Sequence, residues 1–253
     1  MIKSTFHLFS SYVGLNILSK AFGGEKSFTP RQFHPKIALI IDDIGYSITS
    51  VRHFLKLGIP LSFSVLPHLP NSQDLASELR YKGHEIMLHQ PMEPYSSHFD
   101  PGPGAIYVGY NANQITQIVE ENISFVPYAA GVNNHMGSKF TSSQRKIEEA
   151  LWVVKNKGLF FVDSLTSHHS KAYRTARSLQ IATAYRNIFL DNILNESAIL
   201  LQLYKLKNQA LKYGRAIGIG HPFPETATAI AKFLFSINEK EVSFVYASRI
   251  LST

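Results

Sequence analysis

Short apolar runs along this chain end again and again in an acid, an amide or a histidine. Ile37–Ile41 runs into Asp42-Asp43, Glu85–Leu88 into His89, Ala129–Val132 into Asn133-Asn134-His135, Leu159–Val162 into Asp163-Ser164, and Ala216–Gly220 into His221. Several runs are apolar on both faces and rich in Ile, Val, Leu and Phe, as strands buried in a parallel sheet are. The pattern predicts strands over 36–43, 61–67, 85–90, 129–135, 159–164, 181–186, 215–221 and 242–248. Helical stretches fit between them: Ser47–Leu57 before Gly58, Asn71–Lys82 before Gly83, Thr141–Lys157 before Gly158 and Asn195–Tyr213 before Gly214. A polar residue at the start and a glycine just past the end is ordinary helix punctuation.

Eight strands alternating with helices predict an α/β protein built as a distorted or incompletely closed (β/α) barrel; an open doubly wound sheet is the other arrangement that fits. No glycine-rich fingerprint follows the first strand, which weakens a nucleotide-binding reading. In either architecture the carboxyl ends of the strands share one face, so polar residues from Asp42 to His221 should meet in one cleft. The segment from Pro91 to Tyr110 holds prolines at 91, 94, 101 and 103 and follows the His89 strand. It is expected to form a substrate-binding lip at that face.

Two aspartates, three histidines and nearby amides in one cleft point to a metal-dependent hydrolase. Adjacent carboxylates at the end of an apolar strand repel each other and lose hydration, and a cation is the simplest remedy. Because successive strand residues face opposite ways, one of Asp42 and Asp43 is expected to bind the metal while the other turns to another partner. Glu93, four residues past His89, could add a ligand or orient the imidazole. Asn133 and Asn134 supply amide donors that could steady an oxyanion. Asp163 is expected to orient a histidine or fix a catalytic water, and Asp191 to be a supporting acid or a helix cap. No Gly-x-Ser-x-Gly elbow surrounds Ser164, so a serine nucleophile is not expected. His68, His168 and His169 read as solvent-facing loop histidines.

Composition narrows the chemistry. With no cysteine among 253 residues, thiolate metal sites, disulfides and cysteine nucleophiles are excluded. A metal must then sit on nitrogen and oxygen, which suits zinc and other divalent ions. The formal charge of +7 allows an anionic partner. No basic block or nucleic-acid motif is present, and nucleic-acid binding is not expected.

Ile40–Gly45, Gly83–Glu85 through His89-Gln-Pro-Met-Glu-Pro94, Gly131–Ser138, Gly158–Ser164 and Ile219–Pro222 together resemble the divergent polysaccharide deacetylase family. The resemblance spans 36–252, with the motifs in order, one per strand end. That family is a distant relative of the NodB-type polysaccharide deacetylases. The resemblance therefore implies a NodB-like distorted barrel of seven or eight strands, a divalent metal and deacetylation of an N-acetylated carbohydrate polymer. It implies Asp42 as general base, Asp43 as metal ligand, His89 as the first histidine ligand and His221 as general acid. The second histidine of the His-x-x-x-His motif falls on Glu93, a departure. Either Glu93 replaces it or His135 supplies the nitrogen. Asp43, His89 and His135 are preferred, as two histidines and a carboxylate make an open catalytic zinc set. A glycan- or protein-binding module of the cell envelope using the same cleft without catalysis is the alternative, and a hydrolase acting on another bond is a second.

The first residues follow a different pattern. Met1-Ile2-Lys3 is a short basic start, 4–18 is mostly apolar and small, and Ala21 and Gly23 stand where a signal peptidase would look. The pattern thus predicts a signal peptide over 1–23, a linker over 24–35 and a catalytic domain over 36–253, with export to the periplasm or cell envelope expected. No apolar stretch long enough to span a membrane follows. Mass spectrometry of the mature protein should find a new terminus near Gly23; an intact Met1 in a cytoplasmic fraction would refute export.

Overall fold

The structure is a computed structural model that describes residues 34–238 and 240–252. The expected signal peptide and nearly all of the linker lie outside the described residues. Among the described residues there are nine strands: β1 (Lys36–Ile44), β2 (Ser62–Val65), β3 (Glu85–Met92), β4 (Ala129–Met136), β5 (Phe160–Asp163), β6 (Thr183–Tyr185), β7 (Ile188–Phe189), β8 (Arg215–Gly220) and β9 (Ser243–Phe244). Seven α-helices accompany them: α1 (Ile48–Arg52), α2 (Ser72–Tyr81), α3 (Ala112–Phe125), α4 (Gln144–Asn156), α5 (Ala172–Ser178), α6 (Glu196–Tyr213) and α7 (Pro224–Ser236). Neighbouring strands are parallel throughout and run β6-β5-β4-β3-β2-β1-β8-β7, with β9 added beside β1. This is the distorted barrel expected from the alternation of elements.

The ring is not closed. Among the described residues β6 and β7 are unpaired with each other, and the chain crosses from one edge to the other through Arg186 and Asn187. Asn187 fastens the crossing by exchanging two bonds with the Ile217 backbone, one through its amide N–H and one through its side-chain oxygen. A cavity of about 540 Å³ remains at the seam, lined in part by Tyr185, Arg186 and Arg215.

Strand alternation divides the apolar residues into two layers. Leu39, Ile41, Phe63, Leu88 and Phe161 face the helices, while Ala38, Ile40, Met87, Phe160, Val162, Ile217 and Ile219 fill the barrel interior. The expected strand over 242–248 keeps only β9. The chain then turns through a 3-10 helix at Ala247–Arg249, and Ala247 and Ile250 plug the interior from below. Ser62 and Glu85 fix this plug: the Ala247 N–H donates to Ser62 Oγ and the Ser248 N–H to Glu85 Oε1.

Several helices depart from the simple punctuation. Asn71 stands at the N-cap of α2 as expected but makes no side-chain cap bond; its side chain donates to the Tyr46 carbonyl and ties α2 to the loop after β1. The helix expected from Thr141 starts at Gln144, because the Thr141 hydroxyl bonds back to the Gly137 carbonyl. α3 has an Asn111–Gln114 capping box but stops before Pro127 without a glycine, and α7 begins directly on Pro224, so glycine stops did not mark them.

Gly131 on β4 pairs with Phe160 on β5, and a Cβ there would lie 2.3 Å from the phenyl ring. Gly131→Ala should therefore overpack the interior and lower stability by about 1–3 kcal/mol. Urea unfolding should show a lower midpoint with an unchanged slope; an unchanged midpoint would mean that the ring relaxes freely.

Candidate metal and catalytic site

The carboxyl ends of β1, β3, β4 and β8 bring Asp42, Asp43, His89, His135 and His221 into one cleft. β1 does this with an irregularity. Its register against β2 runs Ile40↔Ser62, Ile41↔Phe63 and then Ile44↔Val65, so one extra residue bulges out. Asp43 sits at φ 58, the left-handed region that aspartate tolerates better than most residues. The bulge cancels the expected alternation. Both carboxylates reach the cleft, with Asp42 Oδ2 3.6 Å and Asp43 Oδ1 3.2 Å from His89 Nε2.

Asp43 Oδ1, His89 Nε2 and His135 Nδ1 form a tight triangle. Asp43 Oδ1 lies 3.2 Å from His89 and 3.0 Å from His135, and the two ring nitrogens are 3.1 Å apart. Among the described residues these three groups form the cluster able to hold a metal ion. Ligands held about 2.1 Å from a tetrahedral ion are spaced about 3.4 Å apart, so the triangle is close to one face of such a site. Asp43 Oδ1 is buried and receives no well-directed hydrogen bond, the mark of an oxygen waiting for a cation.

Asn133 on β4 organises the triangle from behind. Its Nδ2 donates to Asp42 Oδ1 at 2.9 Å, so its Oδ1 faces Ser64 and His89. That oxygen accepts from the Ser64 hydroxyl and from His89 Nδ1, the latter at 2.7 Å. An amide oxygen cannot donate, so His89 carries its proton on Nδ1 and offers a lone pair on Nε2.

On the other side, His221 Nε2 lies 3.8 Å from Asp43 Oδ2. Asp191 holds the far edge of the ring: its Oδ1 takes His221 Nδ1 at 2.9 Å, and its Oδ2 accepts from the His221 backbone N–H and the Thr226 hydroxyl. Phe189 and Phe223 flank the imidazole.

These surroundings set the charges. Burial raises the Asp42 carboxyl above its ordinary value, against the pull of His89 and His221. Burial would raise Asp43 too, but the imidazoles of His135 and His89 hold it well below the usual carboxylate range. Burial opposes charge on His221, yet Asp191 pushes it up to about 9. Its ordinary value is about 6.5.

Other sequence candidates are placed differently. Glu93 is taken up by structure: Oε1 pairs with Lys139 Nζ at 2.6 Å and Oε2 accepts the Val108 N–H at 2.7 Å, while its backbone bonds Ile106, Lys139 and Phe140. It staples the lip to the turn after β4 and is not part of the triangle. Asn133 is fully buried and committed to Asp42, Ser64 and His89, so it has no amide left for a substrate. Asn134 is likewise buried, accepting the Ser164 N–H and donating to the Met136 carbonyl. Asp163 orients no histidine; its carboxylate accepts from the Leu165 and Tyr173 N–H groups and the Ser170 hydroxyl. His68, His168 and His169 are all exposed as expected, and His68 Nε2 also meets Asn122 Oδ1 at 2.9 Å.

Two contributors were missed. Ser64 had a visible signal, since Ser62 and Ser64 alternate with Phe63 and Val65 on one strand. Arg186 had none: it donates to the Ser164 and Leu165 carbonyls, lies 3.7 Å over the Phe189 ring, and puts its charge near Asp163 and Asp42.

The fold is that of the NodB-type deacetylases. The catalytic domain of a peptidoglycan N-acetylglucosamine deacetylase from Eubacterium rectale superposes with a TM-score of 0.55 at 16% identity, covering 87% of this chain and 92% of that one. The uncharacterized protein ATU2773 from Agrobacterium tumefaciens superposes with a TM-score of 0.81 at 24% identity, over 86% of this chain and 89% of that one. Residues 39–251 match the family model described as divergent polysaccharide deacetylase, and the chain belongs to that family. The uncharacterized protein YibQ of Escherichia coli is 31% identical over 217 residues, 86% of this chain and 67% of that protein.

The His221–Asp191 pair makes a prediction for metal-free protein. The folded pKa lies above the unfolded one, so the stabilisation from the pair is complete below about pH 6.5 and fades as the pH rises through about 9. An NMR titration should find His221 changing charge near pH 9, and Asp191→Asn should return it toward the ordinary imidazole range. An unshifted His221 in wild type would sink this account.

Proposed function

We propose that the protein is a metal-dependent hydrolase that removes acetyl groups from an N-acetylated glycan. The observation that carries this is the Asp43–His89–His135 triangle flanked by a second carboxylate, Asp42, and a third imidazole, His221. Asp42 adjoins the His89 corner, and His221 adjoins the Asp43 corner. A divalent metal, zinc by the nitrogen and oxygen donor set, would supply Lewis acidity to an amide carbonyl and acidify a water.

The chain's own groups supply the proton transfers. Asn133 occupies Asp42 Oδ1 and leaves Oδ2 toward the cleft, where it can take a proton from the attacking water. Burial raises the basicity of that carboxylate. Asp191 keeps His221 charged and fixes its Nδ1, so Nε2 is the atom that gives a proton to the departing amine. Asp43, His89 and His135 hold the metal, with Asn133 setting the His89 tautomer. Family membership and the glycan deacetylase named among the structural neighbours support the substrate class. The N-terminal pattern supports a site of action in the cell envelope.

Metal analysis of the purified protein, followed by an acetate-release assay on N-acetylated glycans, tests the reading. His135→Gln should abolish stoichiometric metal, whereas Glu93→Gln should retain it; the opposite result would move the third ligand to Glu93. Asp42→Asn should keep the metal and cut turnover by about 10²-fold or more. Metal-loaded wild type that binds a glycan saturably without releasing acetate would make the protein a binding module instead.

The pH–rate profile should be bell-shaped, falling in acid as Asp42 gains a proton and in alkali as His221 loses one. Asp191→Asn should move the alkaline limb to lower pH. An alkaline limb unmoved by that change would remove His221 from the role of acid.

A further inference from the structure

The cavity at the seam takes no part in the site described above, and its origin is topological. In a (β/α) barrel a helix follows each strand and covers the next gap in the ring. Here only Arg186 and Asn187 stand between β6 and β7, so no helix fills the space between α5 and α6. That space is walled by Tyr173 of α5, Gln209 and Tyr213 of α6, and Arg215 at the start of β8. A second cavity of about 370 Å³ continues it. Leu165, Tyr173 and Tyr185 line both, and the second adds His168, His169, Lys171 and Arg174. Together they form a groove down the outside of the barrel. Its upper end is the loop after β5, where the Thr166 hydroxyl donates to the carbonyl of Met136, the residue after His135.

The excess positive charge of the chain gathers on these elements. Ser164–Gly220 holds eight lysines and arginines against two acids, Asp191 and Glu196, within a formal total of +7. Both acids are taken, Asp191 by His221 and Glu196 by Lys232, and Glu241 holds Lys207. On α4, Glu149 pairs with Arg145 and Lys146, and Glu148 lines neither cavity. The one acid in the lining is Asp163. It is fully buried, it accepts from Leu165, Tyr173 and Ser170, and burial raises its carboxyl above the ordinary value. Arg186 lies near it and near Asp42, which leaves Lys171, Arg174 and Arg215 as the exposed cations of the groove. The remaining walls are aromatic. Tyr185 is 43% exposed and Tyr213 64%, and Tyr173 stands edge-on to Tyr185 with ring centres 5.0 Å apart. Guanidinium forks match the paired oxygens of anionic groups, and tyrosine offers a flat apolar face with a hydroxyl at its rim, on which a sugar ring can stack.

We infer that the groove binds an anionic glycan strand, with Lys171, Arg174 and Arg215 meeting its charged groups and Tyr173, Tyr185 and Tyr213 its ring faces. A strand that leaves the cleft over the Leu165 loop runs down the seam, so acidic glycans are preferred over neutral ones at a distance from the metal-binding triangle. The choice of a glycan rests on the deacetylase reading; the preference for negative charge rests on the groove alone.

Calorimetry on the full chain tests the groove by binding, independently of acetate release. The probes are a hyaluronan hexasaccharide, which alternates glucuronate with N-acetylglucosamine, and the neutral N-acetylglucosamine hexamer. Hyaluronan should bind about tenfold or more tighter than the neutral hexamer and lose that margin as salt rises. Lys171→Gln with Arg174→Gln should remove most of the margin. Tyr213→Ala, which takes away a ring and no charge, should weaken hyaluronan binding several-fold. Arg80→Gln, on α2, should leave it unchanged, and thermal melting should stay the same in all three variants. No binding of hyaluronan, equal affinity for the two hexasaccharides, an equal loss from Arg80→Gln, or indifference to Tyr213→Ala would overturn the proposal. A thymidine hexanucleotide that binds more tightly than hyaluronan would assign the groove to nucleic acid and equally overturn it. Acetate release from the neutral hexamer with no binding of hyaluronan would remove the groove and leave the deacetylase; charge-selective binding of hyaluronan with no acetate release from any glycan would do the reverse.

Discussion

One buried amide holds the site together. Asn133 joins three strands through its side chain: it donates to Asp42 on β1 and accepts from Ser64 on β2 and His89 on β3. These residues are almost wholly buried, so each bonded polar group needs its partner for the fold to bear its burial. The same bonds set the chemistry. They turn Asp42 so that one oxygen faces the cleft, and they choose the His89 nitrogen that faces Asp43. The burial of these groups and the placement of the His89 proton thus both depend on one side chain outside the Asp43–His89–His135 triangle.

The rest of the site depends on a local break in regularity. A regular strand would send Asp42 and Asp43 to opposite faces. The bulge and the left-handed Asp43 backbone bring both to the same side. Such strain persists only where surrounding contacts over-determine it. Here the neighbouring histidines and Asn133 do so, and a bound cation would add to them. Met136 and Leu165, just past the polar ends of β4 and β5, share the positive φ. The loops around the candidate site thus hold Asp43, Met136 and Leu165 in one uncommon backbone conformation.

Much of this was legible in the sequence, for a physical reason. A polar residue that ends a buried apolar run must face a cleft or a partner, so Asp42, Asp43, His89, His135 and His221 were conspicuous in one dimension. What they do to one another was not. Asn133 and Glu93 looked as available as His135, because whether a polar atom is already satisfied depends on neighbours distant in the chain, such as Ser64 and Lys139. β7 escaped notice because two residues are too short to show a period, and Arg186 because its partners are backbone carbonyls. The bulge left no mark either, since Asp-Asp reads the same in a regular strand.

The open seam divides the groups of the site between two flanks. His89 and His135 belong to one flank of β1, Asp191 and His221 to the other, and among the described residues no ladder between β6 and β7 joins the flanks on the far side. β1 is therefore their shared spine. At the seam the Arg186–Asn187 crossing stands in for a ladder: Arg186 donates to the Ser164 and Leu165 carbonyls beyond β5, and Asn187 exchanges two bonds with Ile217 on β8. Two residues thus hold there the place that continuous strand pairing holds around the rest of the ring.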